Sequence, residues 1–255
     1  MSASVPLGRD GAGIRVALID SGVDASHPWL AEAKLEHVGV ERVGDGHRVV
    51  ARELGVDASG HGTACAGIVH RMVPAARLVD VCALGDDGRG SRGALLAALR
   101  HAIEARYDVV NLSLGIDVPR RAALRSGDTL PILALYELAD AAVTAGVVLV
   151  AAGPNLPEVR TYPGKFKSLV GVGRGPFAEL ERLESARSED HELLAPGTDV
   201  VAPALGGGER HWTGTSFATP FVTAHVARIL AARPRLPIEA VKSALHAIAA
   251  STVLG

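Results

Sequence analysis

The chain has 255 residues, 48% of them hydrophobic and 4% aromatic, with 26 basic and 28 acidic residues and a formal net charge of −2; its mean hydropathy is +0.23. That length and apolar content support one sizeable α/β core, while charges of both signs mixed along the sequence exclude a nucleic-acid or membrane-surface footprint. Cys65 and Cys82 are too few for a disulfide scaffold and read as free thiols. The first residues lack a basic segment followed by an apolar run, so no secretory leader is expected. The apolar run at 147–152 is far too short to span a bilayer. A soluble cytoplasmic protein is expected, or a secreted one if a leader has been removed.

In chain order, residues 14–19 form an apolar run of strand length that ends at Asp20-Ser21-Gly22. An acid at the carboxyl end of a buried strand is where open α/β sheets place functional groups; an ordinary turn aspartate fits as well. A loop-rich region with Gly44, Gly46 and Gly55 follows. It ends at Ser59-Gly60-His61-Gly62-Thr63-Ala64-Cys65-Ala66-Gly67, which reads as a tightly packed helix with His61 at its entrance. Residues 77–84 read as a strand, and 93–105 as a helix with Leu95, Leu96, Leu99 and Ile103 on one face. Residues 108–112 read as a strand running into Ser113-Leu114-Gly115. Residues 116–130, with Arg120, Arg121 and Arg125, read as a solvated loop, 131–145 as a helix and 147–151 as a strand before the turn Gly153-Pro154-Asn155. A strand at 168–173, a solvated segment at 179–192, a strand holding Val200 and Val201, and a last helix at 237–249 complete the list. Strands alternate with helices without an internal repeat, so the expected fold is a three-layer α/β/α sandwich on a mainly parallel sheet, in one domain over 1–255.

The stretch Gly214-Thr215-Ser216-Phe217-Ala218-Thr219-Pro220 opens a long apolar helix reaching to about Arg233. The N–H groups of a first helical turn have no carbonyl one turn back, so that of Ser216 can face a developing anion. Pro220 has no N–H to give to the Ser216 carbonyl, which loosens this turn around the serine. Alone, the heptapeptide reads better as an ordinary N-cap with a tolerated early proline.

Taken together, Asp20-Ser21-Gly22, His61-Gly62-Thr63, Asn111-Leu112-Ser113-Leu114-Gly115 and Gly214-Thr215-Ser216 resemble the subtilisin-like serine proteases, in that family's order of Asp, His and Ser. The resemblance implies a subtilisin-like fold and an endopeptidase without a cofactor, with Ser216 as nucleophile, His61 as general base and Asp20 as the residue that orients the imidazole. It further implies that Ser113, Leu114 and Gly115 pair with the substrate backbone, that Gly88 and Gly90 lie on the opposite edge, and that Gly153 borders the pocket. The partner is then a peptide or protein substrate, with cleavage of a leader from a precursor as one conjectured role.

Three departures from the family pattern bear on these expectations. Pro154 stands between Ala152-Gly153 and Asn155. Either the turn carries one extra residue and Asn155 donates to the oxyanion, or Pro154 occupies that slot and the donor is lost; Asn155 is the favoured reading. Trp29 stands where many secreted members carry a calcium-binding acid, so no metal is expected there. The chain ends before the terminal strand and helix the family usually adds, as in a shortened member or one domain of a larger protein. Cys65, one helical turn after His61, reads as a small buried hydrophobe beneath the histidine. The alternative to an active peptidase is a catalytically weak module of the same fold that binds peptides or regulates a partner; an esterase with the same triad is the other rival.

Overall fold

A computed structural model of the protein describes residues 10–85, 89–121 and 126–252. Strands β1 (Arg15–Asp20), β2 (Lys34–Val43) and β3 (Gly46–Ala51) precede helix α1 (His61–Met72), strand β4 (Arg77–Cys82) and helix α2 (Arg92–Glu104). Strands β5 (Val109–Leu112) and β6 (Ile116–Pro119), helix α3 (Ser126–Ala145), and strands β7 (Val148–Ala152), β8 (Val159–Tyr162) and β9 (Val170–Gly175) follow. The remainder is β10 (Glu184–Ser185), β11 (Leu193–Pro196), β12 (Val200–Pro203), β13 (Glu209–Trp212), α4 (Thr215–Ala232) and α5 (Ile238–Thr252).

Nine strands form one sheet in the order β10-β11-β9-β7-β5-β1-β4-β2-β3. The pairs from β11 to β2 are parallel, and β10 and β3 close the two edges in antiparallel register. Because successive strand side chains point to opposite faces, the central strands are apolar on both. Val16 and Leu18 of β1 join the cluster under α1, α4 and α5, whereas Ala17 and Ile19 join the cluster under α2 and α3. The three-layer α/β/α sandwich expected from the sequence is therefore present. No described helix is long and apolar enough to cross a membrane.

Several boundaries and three segments differ from the sequence reading. The loop-rich region before His61 contains the β2–β3 hairpin, turned through Gly44 at φ +59°. β2 and the edge strand β3 are only partly buried, so their apolar alternation is weak. The segment 116–130 is not one solvated loop: β6 pairs with β8 in a separate two-stranded sheet, and α3 starts at Ser126, five residues before Pro131. A proline early in a helix sacrifices a single hydrogen bond, so it marks the start only loosely. The segment 179–192 is also more than a solvated linker, since Leu183 and Asp190 are buried. Asp190 is held by Arg120 and by Lys165 at 3.2 Å. Cys82 is half-buried at the end of β4, its thiol directed at the Ser21 and Leu84 carbonyls. Arg125 and Gly88 lie outside the described residues.

Candidate active site

Asp20, Ser113 and Gly153 stand at or just beyond the carboxyl ends of β1, β5 and β7, which are neighbours in the parallel sheet. Asp20 is fully buried. Its Oδ1 accepts from the Ser21 N–H at 2.8 Å and from His61 Nδ1 at 2.7 Å. An ionised carboxylate only accepts, so Nδ1 carries the proton and Nε2 keeps its basic lone pair. Burial opposes charging of His61, but the Asp20 charge and hydrogen bond, with the more distant Asp57, outweigh it and raise its pKa above the ordinary 6.5.

His61 sits on the first turn of α1, whose cap residue Gly60 is left-handed at φ +77° and has no side chain to offer. The orphan N–H groups find partners elsewhere. His61 N donates to Ser59 Oγ at 3.2 Å and Gly62 N to Ser21 Oγ at 3.0 Å. Buried Asp57 takes the rest: its two oxygens accept from Ser21 Oγ, from the N–H and Oγ of Ser59, from Gly60 N, and from the N–H and Oγ1 of Thr63 at 2.7–3.2 Å. One carboxylate thus ties the turn after β1 to the entrance of α1, and its charge lies at the positive end of that helix. Gly62 permits the close approach, because a Cβ there would lie 2.1 Å from the Gly22 carbonyl oxygen.

Ser216 is the second residue of α4. With Pro220 lacking an N–H, the Ser216 carbonyl turns to other donors: Ser113 Oγ at 2.7 Å and the thiol of Cys65 at 3.6 Å. Cys65 is buried, and its Sγ lies within 4.8 Å of the Asp20 and His61 ligand atoms. Burial, with Asp20 second, holds that thiol well above its usual pKa. It is a neutral packing group beneath His61. Ser113 Oγ accepts from Asn111 Nδ2 at 2.9 Å, and Asn111 Oδ1 accepts from Thr223 Oγ1 at 2.9 Å, so a buried polar chain crosses from β5 to α4. The Ser216 hydroxyl itself donates to the Ser113 carbonyl at 2.9 Å. No hydrogen bond joins it to His61 among the described residues.

Asn155 reaches this helix entrance despite Pro154. Its Oδ1 accepts the Thr215 N–H at 2.9 Å, and Thr215 Oγ1 donates to the Gly153 carbonyl at 2.8 Å. Asn155 is therefore held at the residue that precedes Ser216, and its amide NH2 makes no hydrogen bond among the described residues. Ser113, Leu114 and Gly115 lie between β5 and β6 and belong to neither ladder. A Cβ at Gly115 would meet Thr161 Cγ2 and the Tyr162 carbonyl at 2.7 Å, so glycine is needed there. Gly90 packs on Ala83 and Leu84, whose N–H groups donate to the Asp20 carbonyl at 2.9 and 3.2 Å. Trp29 donates from Nε1 to Glu209 of β13 at 2.7 Å.

A family model described as the Subtilase family matches residues 11–253. The chain belongs to the subtilase family. Subtilisin amylosacchariticus from Bacillus subtilis subsp. amylosacchariticus is 31% identical over 97% of this chain. The chain spans 63% of that relative's length. Subtilisin from Bacillus pumilus is 30% identical over 97% of the chain and 87% of the relative, and an intracellular serine protease from Paenibacillus polymyxa is 28% identical over 86% and 67%. Among solved structures, sphericase superposes with a TM-score of 0.72 at 23% identity, covering 96% of this chain and 90% of its own; that likeness speaks for the fold.

In this subtilase two functional surroundings were not singled out from the sequence. Asp57 shows only as an acid four residues before His61, a capping residue type ahead of a helix. Trp212 and Phe217 flank the imidazole, with ring centroids 6.4 and 5.1 Å away and 4.7 Å from each other. Placing Trp212 required the strand β13, too short and polar to be read.

Proposed function

We propose that this subtilase is a serine endopeptidase that cuts extended polypeptide segments through an acyl-enzyme. The Asp20–His61 bond of 2.7 Å, at the sheet edge where α4 presents Ser216, carries the reading. When substrate enters, the Ser216 hydroxyl exchanges the Ser113 carbonyl for His61 Nε2; looser contacts before substrate binds are common in such sites. Oγ attacks the scissile carbonyl as its proton passes to Nε2, and Asp20 stabilises the imidazolium. The oxyanion is met by the Ser216 N–H at the helix N-terminus and by the Asn155 amide. Collapse breaks the C–N bond, His61 returns the proton to the leaving amine, and a water attacks the acyl-enzyme by the same route.

The unpaired backbone at 113–115 supports substrate bound as an added strand, a mode that selects flexible segments. Trimming of a leader from a peptide precursor is the narrower form of this reading. The test is digestion of an unfolded, thiol-blocked protein and its folded counterpart by wild type and Ser216→Ala. Cleavage of the unfolded protein by wild type alone is expected. Hydrolysis of matched esters without amides would favour an esterase. The weak peptide-binding module draws on the Ser216–Ser113 bond; it gains if the wild type binds unfolded chains and cuts none.

A further inference from the structure

Strand β13 presents its charges unequally. Glu209 accepts from Trp29 Nε1 at 2.7 Å, and His211 pairs with Asp199 at 2.9 Å. Alternation places Arg210 on the opposite face with Trp212, and there its guanidinium lies 3.3 Å from the indole centroid. A planar cation stacked on an aromatic face is held in place without its N–H donors being used. Arg210 is exposed, and its guanidinium makes no ion pair or hydrogen bond among the described residues. The same indole meets His61 edge-on at 6.4 Å.

The chemistry fixes which part of a substrate passes here. In the mechanism proposed above, His61 delivers its proton to the leaving amine, so the groups flanking the imidazole face the fragment that leaves. Contacts of 6.4 and 3.3 Å in series keep the guanidinium within the reach of about three extended residues at roughly 3.3–3.6 Å each. Resting on the endopeptidase reading, the geometry points to Arg210 as a specificity determinant that binds a carboxylate on the leaving fragment, within three residues of the cleaved bond. The shared chemistry has two sources, an Asp or Glu side chain or a free C-terminal α-carboxylate. Arg210 also lies close enough to weigh against protonation of His61. A bound carboxylate would neutralise it during turnover.

Quenched peptides of one parent sequence test this. One arm places Glu or Gln at each of the first three leaving positions with an amidated C-terminus; the other keeps Gln and compares a free with an amidated terminus at the third. The expected result is a kcat/KM about 3- to 10-fold higher with the carboxylate in at least one arm, the range for a partly exposed charge-assisted pair. That preference falls to near one in Arg210→Gln, inverts in Arg210→Glu, and shrinks in wild type as salt rises to 0.5 M, roughly a 4 Å screening length. The salt series needs no variant. The responding arm identifies the source. Ratios at or below one in both arms, or a preference that survives in Arg210→Gln, overturn the inference while leaving the peptidase reading intact. Failure to cleave any peptide overturns both.

Discussion

At the scale of single residues, the proposed mechanism makes the imidazole of His61 the group that sets the pH at which the site works. It must be neutral to take the Ser216 proton, and burial opposed by the Asp20 carboxylate leaves its pKa above 6.5. Activity should therefore fall as pH drops through a midpoint higher than that of a free histidine. In Asp20→Asn the midpoint should move down, because burial then acts without its counter-charge, and the rate should collapse with the loss of the correct tautomer. A pH profile of kcat/KM for both proteins checks this. The sign for stability is opposite: with a raised folded pKa, the pair stabilises fully below 6.5 and its contribution fades as pH rises through the folded value. Asn155 is the other residue with a large expected effect. In subtilisin, loss of the oxyanion donor lowers the rate about 10²–10³-fold; that magnitude is carried over, and a similar fall is expected of Asn155→Ala.

At the scale of elements, the entrance of α1 depends on Asp57 more than on its own cap. Asp57→Ala would leave buried N–H groups of Gly60 and Thr63 unpaired, each costing about 1–3 kcal/mol, so a loss on the order of 3 kcal/mol is expected in denaturant melts. Asp57→Asn keeps an acceptor but turns an NH2 toward Thr63. It should lower kcat more than it raises KM, because His61 is displaced while the proposed substrate edge at 113–115 stays in place. Equal effects on kcat and KM would argue against a positioning role. The central elements were legible because β1, β5 and β7 are mostly apolar on both faces, and α1 carries the glycines, and α4 the alanines and threonines, that their close packing needs. The β2–β3 hairpin, β6, β8 and β13 were not, because β2 and β3 are of mixed exposure and β6, β8 and β13 are only four residues each, too short for a period to stand out. The site followed the same division. Asp20, His61 and Ser216 lie on the legible elements, and the structure brings them to one edge, whereas Trp212 and Arg210 reach the site from β13. For Asn155 the sequence left open whether Pro154 displaced it, a matter of turn geometry that only the contact with Thr215 N–H describes.

At the scale of the whole molecule, the core holds a histidine that the proposed chemistry does not use. His225 of α4 is 1% exposed, and neither ring nitrogen has a hydrogen-bond partner among the described residues. Burial, reinforced by Arg228, lowers its pKa to about 4. Above pH 6.5 it is neutral whether folded or not. As pH falls from 6.5 to 4 only the unfolded chain takes the proton, so stability should decline by on the order of 3 kcal/mol and then level off as far as this group is concerned. His225→Leu should remove that part of the slope, read from denaturant midpoints at pH 7 and 4.5 in a Ser216→Ala background that prevents self-digestion. An unchanged slope would assign acid sensitivity to other groups. The account rests finally on one assembly: sheet, α1 and α4 meeting so that Ser216 becomes a nucleophile. Labelling with a fluorophosphonate probe reads that assembly directly. The account predicts rapid labelling of wild type, none in Ser216→Ala and strongly slowed labelling in Asn155→Ala. Well-folded wild type that does not label would contradict it.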